Sequence, residues 1–256
     1  MTSLRTRVFA TAALLTAVMT MPVTAQRGPA PGPTHLPEDV LAMVCAPSPA
    51  FEVPDRSLRI VGGQDSFQRR TFAPGDLVTM NAGTDNGIEP GQEYFVRRLQ
   101  TEANQRPTRM TPGSVRTAGW IKVYAVDKEL SLATIVHACD TIDDGDYLEP
   151  FIMPVVPTMT KEKIKPQRDN YGRILFGTDF RRSFGKGDFF IVDRGSDHGV
   201  APGDRFVIYR DKKQADNFLY DLGEAVAMEV KAESSTLQAI VSRDAFIAGD
   251  YVAIRK

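Results

Sequence analysis

The sequence predicts an all-β chain in which one small barrel-like module occurs twice. Three observations predict it. Residue blocks recur at a fixed offset, the apolar runs are short and rich in β-branched and aromatic residues, and turn residues separate them at close intervals. The 256 residues include 17 prolines and 20 glycines, as many turns require, and 42% are hydrophobic, enough for sizeable cores.

The first element is a secretory signal over residues 1–25. Arg5 and Arg7 give the positive start, Val8 to Met21 the apolar run, and Val23-Thr24-Ala25 the small residues for cleavage before Gln26. The run is short for a span of about 20 apolar residues, so an uncleaved membrane anchor is the weaker reading. No cysteine sits at the cleavage point and no second long apolar stretch follows. The expectation is therefore an exported chain with no lipid anchor and no transmembrane segment after cleavage. Residues 26–57 form a Pro-rich arm, with a short helix expected around Glu38 to Met43.

The repeat occupies the remainder. Gln68-Arg69-Arg70-Thr71-Phe72, Pro74-Gly75-Asp76-Leu77-Val78 and Gly83 to Gly91 recur as Phe180-Arg181-Arg182-Ser183-Phe184, Lys186-Gly187-Asp188-Phe189-Phe190 and Gly195 to Gly203 at one constant offset. Gly119, Ser131 and Gly145-Asp146-Tyr147 recur later as Gly223, Ser235 and Gly249-Asp250-Tyr251, at a smaller offset. The first copy thus carries eight extra residues within Gln100 to Arg116. This places module 1 at 58–151, a Pro- and Lys-rich linker at 152–171, and module 2 at 172–256.

Strands are expected at Leu77–Ala82, Gln92–Leu99, Trp120–Val126, Leu132–Ala138 and Tyr147–Phe151. Their counterparts are Phe189–Asp193, Arg205–Arg210, Glu224–Val230, Thr236–Val241 and Tyr251–Ile254. Five or six strands in so short a unit suit a closed barrel of SH3 or OB type, which removes exposed edges. Asp85-Asn86-Gly87 and Asp197-His198-Gly199 suit tight turns with a positive φ. Pro90-Gly91 and Pro202-Gly203 suit type II turns, with Ile88 and Val200 pointing inward. Asp146 and Asp250 are expected to fix turns through backbone donors, not to act as acids or bases.

The run from Gly199 to Arg210, with Leu222-Gly223-Glu224-Ala225, Ser234-Ser235-Thr236 and Gly249-Asp250-Tyr251-Val252, resembles the C-terminal domain of the flagellar assembly protein T family. The resemblance covers the second copy and reaches the first through matched positions. It implies a small β-barrel without catalytic residues, attached within a periplasmic ring. Where that family has other domains, this chain has a second barrel. Pro74-Gly75-Asp76-Leu77 is similar to the start of a LysM unit, but the turn-rich Val78 to Gly91 leaves no room for the first of its helices.

The two cysteines, Cys45 and Cys139, are expected to pair in an oxidising compartment. Arg243 stands where Cys139 would recur, so the bond is an addition that ties the arm to the fourth strand of module 1. Closing a loop of about 95 residues contributes roughly 3–5 kcal/mol. His35, Cys45, His137 and Cys139 have the number of donors for a tetrahedral zinc set, but their spacing is not that of a zinc finger and oxidation competes, so no metal is expected. Ser196-Asp197-His198 has the residue types of a hydrolase triad, yet neighbours on one turn cannot converge.

Arg69-Arg70 and Arg181-Arg182, with Arg97-Arg98, are the candidate surface site, for anions or glycans. The competing reading is an arginine lying over Phe72 or Phe184. Trp120, whose counterpart is Glu224, is either core beneath the longer loop or an exposed platform. Net charge is −1, with 31 basic and 32 acidic side chains, which gives no field favouring nucleic acid. The expectation is a non-catalytic, cofactor-free periplasmic protein with no membrane span after cleavage, with outer-membrane association as a further expectation, acting as an adaptor or scaffold on another envelope protein. The alternatives are a peptidoglycan or glycan binder and, more remotely, an enzyme with a pocket between the modules.

Overall fold

The computed structural model describes residues 36–64, 69–102, 105–109, 111–160, 166–211 and 218–255, with the backbone alone over 166–169. The expected signal segment and His35 lie outside the described residues.

The described residues are all-β apart from one short α-helix and a few 3-10 turns. The helix α1 (Glu38–Val44) leads into β1 (Ser48–Ala50). The first copy then supplies β2 (Ile60–Gly63), β3 (Thr71–Phe72), β4 (Leu77–Met80), β5 (Glu93–Gln100), β6 (Gly113–Val126), β7 (Ser131–Ala138), β8 (Ile142–Asp143) and β9 (Tyr147–Pro150). The second supplies β10 (Pro166–Phe176), β11 (Ser183–Phe184), β12 (Phe189–Val192), β13 (Arg205–Asp211), β14 (Leu219–Val230), β15 (Ser235–Ser242), β16 (Phe246–Ile247) and β17 (Tyr251–Arg255). The helix falls where the arm's pattern placed it.

Both copies run in the same order. In the second, β10-β12-β15-β14-β13-β17 is a closed barrel, sealed by Tyr171↔Ala253, Gly172↔Val252 and Arg173↔Tyr251. In the first, β2-β4-β7-β6-β5-β9 stops short of a closing ladder, and β1 pairs with β6. Strand length is the reason. β10 has 11 residues and overlaps β17, while β2 has four and meets β9 through the single bridge Arg59↔Tyr147. Bonds from Ile60 N to Asp146 O and from Leu148 N to Leu58 O, both 2.9 Å, complete that seam. β10 begins at Pro166, inside the stretch read as linker, because the polar run Gln167 to Asn170 hides a strand.

Each copy builds its own core. Ile60, Phe72, Val78, Met80 and Ile121 are buried in the first, and Ile174, Phe184, Phe190, Phe206 and Leu237 in the second. Each such side chain contributes about 1.5–3 kcal/mol by leaving water. Ile88 and Val200 point inward at 5% and 4% exposure, as the turn spacing predicts.

The shared turns do the same work twice. Thr84–Asn86 and Ser196–His198 are 3-10 turns that end on Gly87 and Gly199, both with φ of 77°. Each docks on the next hairpin: Thr84 N donates to Asp127 O and Ser196 N to Lys231 O, both at 2.9 Å. Pro90-Gly91 and Pro202-Gly203 follow with glycine φ of 91° and 90°, the type II geometry only glycine adopts freely.

Candidate functional site

The arm is the element that joins the two copies. The disulfide Cys45–Cys139 holds the end of α1 to the end of β7. Beyond it the chain becomes extended, because Pro47 and Pro49 disfavour helix, and Ser48↔Val115 and Ala50↔Gly113 add β1 to β6. Its other side meets module 2. The buried Thr236 Oγ1 donates to Pro47 O at 2.9 Å, Lys231 Nζ donates to Pro49 O at 3.1 Å, and Ser48 Oγ donates to Glu229 Oε1 at 3.4 Å. Pro47, Ser48 and Pro49 are all buried by this double contact.

Further side-chain contacts cross the junction, Gln100 Nε2 donating to Asp179 Oδ1 among them. Arg109 pairs with Glu233 at 3.1 Å, and Arg116 pairs with Asp179 at 3.2 Å while also holding Asp140. Asp179 reaches its partners from a left-handed backbone, φ 56°.

Trp120 is not a surface platform. It is 1% exposed, with Val44, Phe95 and the disulfide around it, and its ring lies 4.9 Å from that of His137 and 5.3 Å from that of Phe151. The cover is the arm and α1, not the eight-residue insertion, which instead lengthens the β5–β6 hairpin.

The arginines divide. Arg69 forks onto Asp76 at 2.9 and 2.6 Å, Arg181 pairs with Asp188 at 2.6 Å, and each carboxylate also accepts a turn N–H, from Ala73 and Gly185. Arg181 also lies over Phe184, 5.4 Å from the ring centroid. Burial pushes the Asp188 carboxyl up, but Arg181 and the Gly185 N–H outweigh it and hold the pKa below the ordinary value. Arg97 lies over Phe95 and reaches Glu149 at 3.4 Å. Arg98 forks onto Asp146 through two bonds of 2.7 Å. All four are held in ion pairs, although the side chains of Arg69 and Arg181 stay half-exposed. Only Arg70 and Arg182 of the candidate set are exposed with no side-chain ion pair among the described residues.

Sequence reasoning missed the second half of the Arg98 pattern. Arg210 forks onto Asp250 at 2.9 and 2.8 Å, and Ile247 N donates to the same carboxylate at 2.7 Å, as Asp143 N does to Asp146 at 2.9 Å. Both aspartates are 4% exposed, and their hydrogen bonds strengthen the hold of Arg98 and Arg210 on their protons. The signal was present: arginine and aspartate recur together at matched positions.

Ser196, Asp197 and His198 form one turn. His198 Nδ1 accepts from Gly195 N at 3.2 Å, the part Asn86 Oδ1 plays toward Gly83 N at 3.3 Å. Hollows flank the junction. One of about 710 Å³ touches Pro49, Arg97, Arg109, Tyr147 and Lys231. Another, about 290 Å³, has Leu175, Phe176, Phe180 and Pro112 beside Arg182. The Tyr147 hydroxyl is buried without a hydrogen-bond partner, and burial pushes its pKa up. The described residues include a metal-capable group in Cys45, His137 and Cys139.

Fold and site together define an all-β chain of two barrel-type modules clasped by a disulfide-tethered arm. No model of a known family matches the chain, and no curated protein matches it.

Proposed function

We propose that this chain is a non-catalytic adaptor of a bacterial cell envelope, exported to the periplasm, that holds an extended segment of another envelope protein on the outer face of module 1. One comparison supports the reading. On module 2 the arm's Pro47 to Pro49 bonds to Thr236, Glu229 and Lys231, and Thr236 is 1% exposed; its β12 neighbour Ile191 is 0% exposed. No described segment covers the matched face of module 1. Leu132 stands for Thr236, Ala125 for Glu229 and Thr79 for Ile191, around a hollow of about 390 Å³ rimmed by Leu130 at 49% exposure. An exposed apolar hollow on a repeated scaffold is a surface for a partner. Its twin already shows the shape of occupant: an extended, proline-containing strand, here with apolar side chains.

The disulfide suits an oxidising compartment, and among the described residues no helix is long and apolar enough to cross a membrane. The resemblance to the flagellar assembly protein T barrel suggests docking within a ring as one form of this role. The test is a photo-crosslinking residue at Leu130 in cells, with Leu132→Asp as control. A discrete adduct with one envelope protein, lost in L132D, is expected; the absence of any adduct overturns the proposal.

A second reading, glycan or peptidoglycan binding, keeps one favourable observation: the exposed Arg182 beside the aromatic-lined hollow of Phe176 and Phe180, whose rings lie 4.9 Å apart. A sacculus pull-down in which wild type sediments and R182A does not would support it. Protein left in the supernatant removes it.

A further inference from the structure

The geometry points to a second state of the arm's tether: with the disulfide reduced, Cys45, Cys139 and His137 form a three-donor site for a borderline-soft divalent metal ion such as zinc. The donor atoms of all three residues lie within 4.8 Å of one another, and all three are half-buried. His137 lies near the end of β7 and Cys139 directly after it, two residues further along the chain. Cys45 is brought to them by the end of α1, independently of that strand. The His137 ring lies against Trp120, which limits the orientations it can take.

The chemistry fits the place. Two thiolates balance a divalent ion and a neutral imidazole adds no charge, so the loaded site is neutral beside Val44 and Trp120. In a tetrahedral zinc site two sulfurs bound at about 2.3 Å stand roughly 3.8 Å apart, so reduction must let them separate. A short helix on an arm supplies that movement more readily than a core strand. A fourth position stays open to water.

The steps balance. Reduction breaks the Sγ–Sγ bond; two electrons and two protons come from a dithiol, which leaves as its own disulfide. Metal binding then displaces the two thiol protons. The ion takes over the disulfide's task and keeps α1 over Trp120.

The test uses the full chain, reduced with a phosphine that becomes its oxide at the expense of one water, then freed of reductant. Cobalt(II) reports thiolate ligation by its charge-transfer absorption, and zinc displaces it. One ion per reduced chain is expected, with a change in Trp120 fluorescence, since Trp120 is the only tryptophan. The oxidised chain should bind none. His137→Ala should weaken binding by more than the roughly 10–100-fold that losing a supporting outer group costs. The oxidised H137A chain, still tethered, shows whether the variant folds. Reduced wild type that takes up no cobalt or zinc overturns the proposal, as does H137A binding with unchanged affinity.

Discussion

Replacing Asp250 by Asn isolates the buried fork that closes module 2. Asp250 accepts two bonds from Arg210 and one from Ile247 N, all between 2.7 and 2.9 Å. An asparagine keeps one acceptor oxygen and turns an NH₂ toward the remaining donors. Two charge-assisted bonds, each worth about 1.5–3 kcal/mol, are degraded or lost. Arg210 is 22% exposed and has Asp244 at 3.6 Å, so water and a second carboxylate recover part of that. The expected loss is about 2–4 kcal/mol, which lowers a urea midpoint by roughly 1–2 M. Asp146→Asn is an internal control, because Arg98 and Asp143 N make the same bonds in module 1. Circular dichroism reads both variants, and Trp120 fluorescence reads the first module directly. If both substitutions change stability by less than about 0.5 kcal/mol, the forks are solvent-screened pairs and the reasoning fails.

Gly223→Ala should cost about 2–4 kcal/mol, because a Cβ there meets the Val241 carbonyl and, at 2.9 Å, Phe246, on a backbone with φ of 152°; equilibrium unfolding checks it. Tyr147→Phe should change neutral-pH stability by less than about 1 kcal/mol, since it removes a buried hydroxyl that has no partner. Its raised folded pKa gives a contribution complete below the unfolded value of 10.0 and lost as pH rises above it, so Y147F should flatten the alkaline limb of stability. Arg181→Met should flatten the acid limb. The depressed folded pKa of Asp188 stabilises above the ordinary carboxylate range, and that contribution is lost as pH falls through the folded value. With Asp188 35% exposed, the effect should stay under about 1 kcal/mol, seen in urea midpoints between about pH 5 and 2.

What was legible in the sequence was local or repeated. Turns carry their chemistry in adjacent residues, so Pro90-Gly91 and Asn86-Gly87 announce their backbone, and the disulfide follows from two cysteines once an oxidising compartment is expected. What was hidden depends on contacts between distant residues. Trp120 has the same sequence context whether or not a helix some 80 residues earlier covers it. Arg98 and Asp146 are 48 residues apart, and neither alone marks a fork. β10 was hidden for a third reason: its first residues are polar, and only the register against β17 makes them a strand.

The differences between the copies carry more meaning than their likeness. The shared residues close turns and fill cores, so they explain two similar bodies and nothing about how those bodies sit together. The arm uses positions where the copies diverge. Cys139 stands where module 2 has Arg243, and Trp120 where it has Glu224; Thr236, Lys231 and Glu229 stand where module 1 has Leu132, Asp127 and Ala125. Each of these either anchors the arm or receives it. The residues that differ between the copies therefore make one face of module 2 a seat for the chain's own strand. By the same logic Leu132 and Leu130, which serve neither core nor arm, are the positions at which the proposed docking should be tested first.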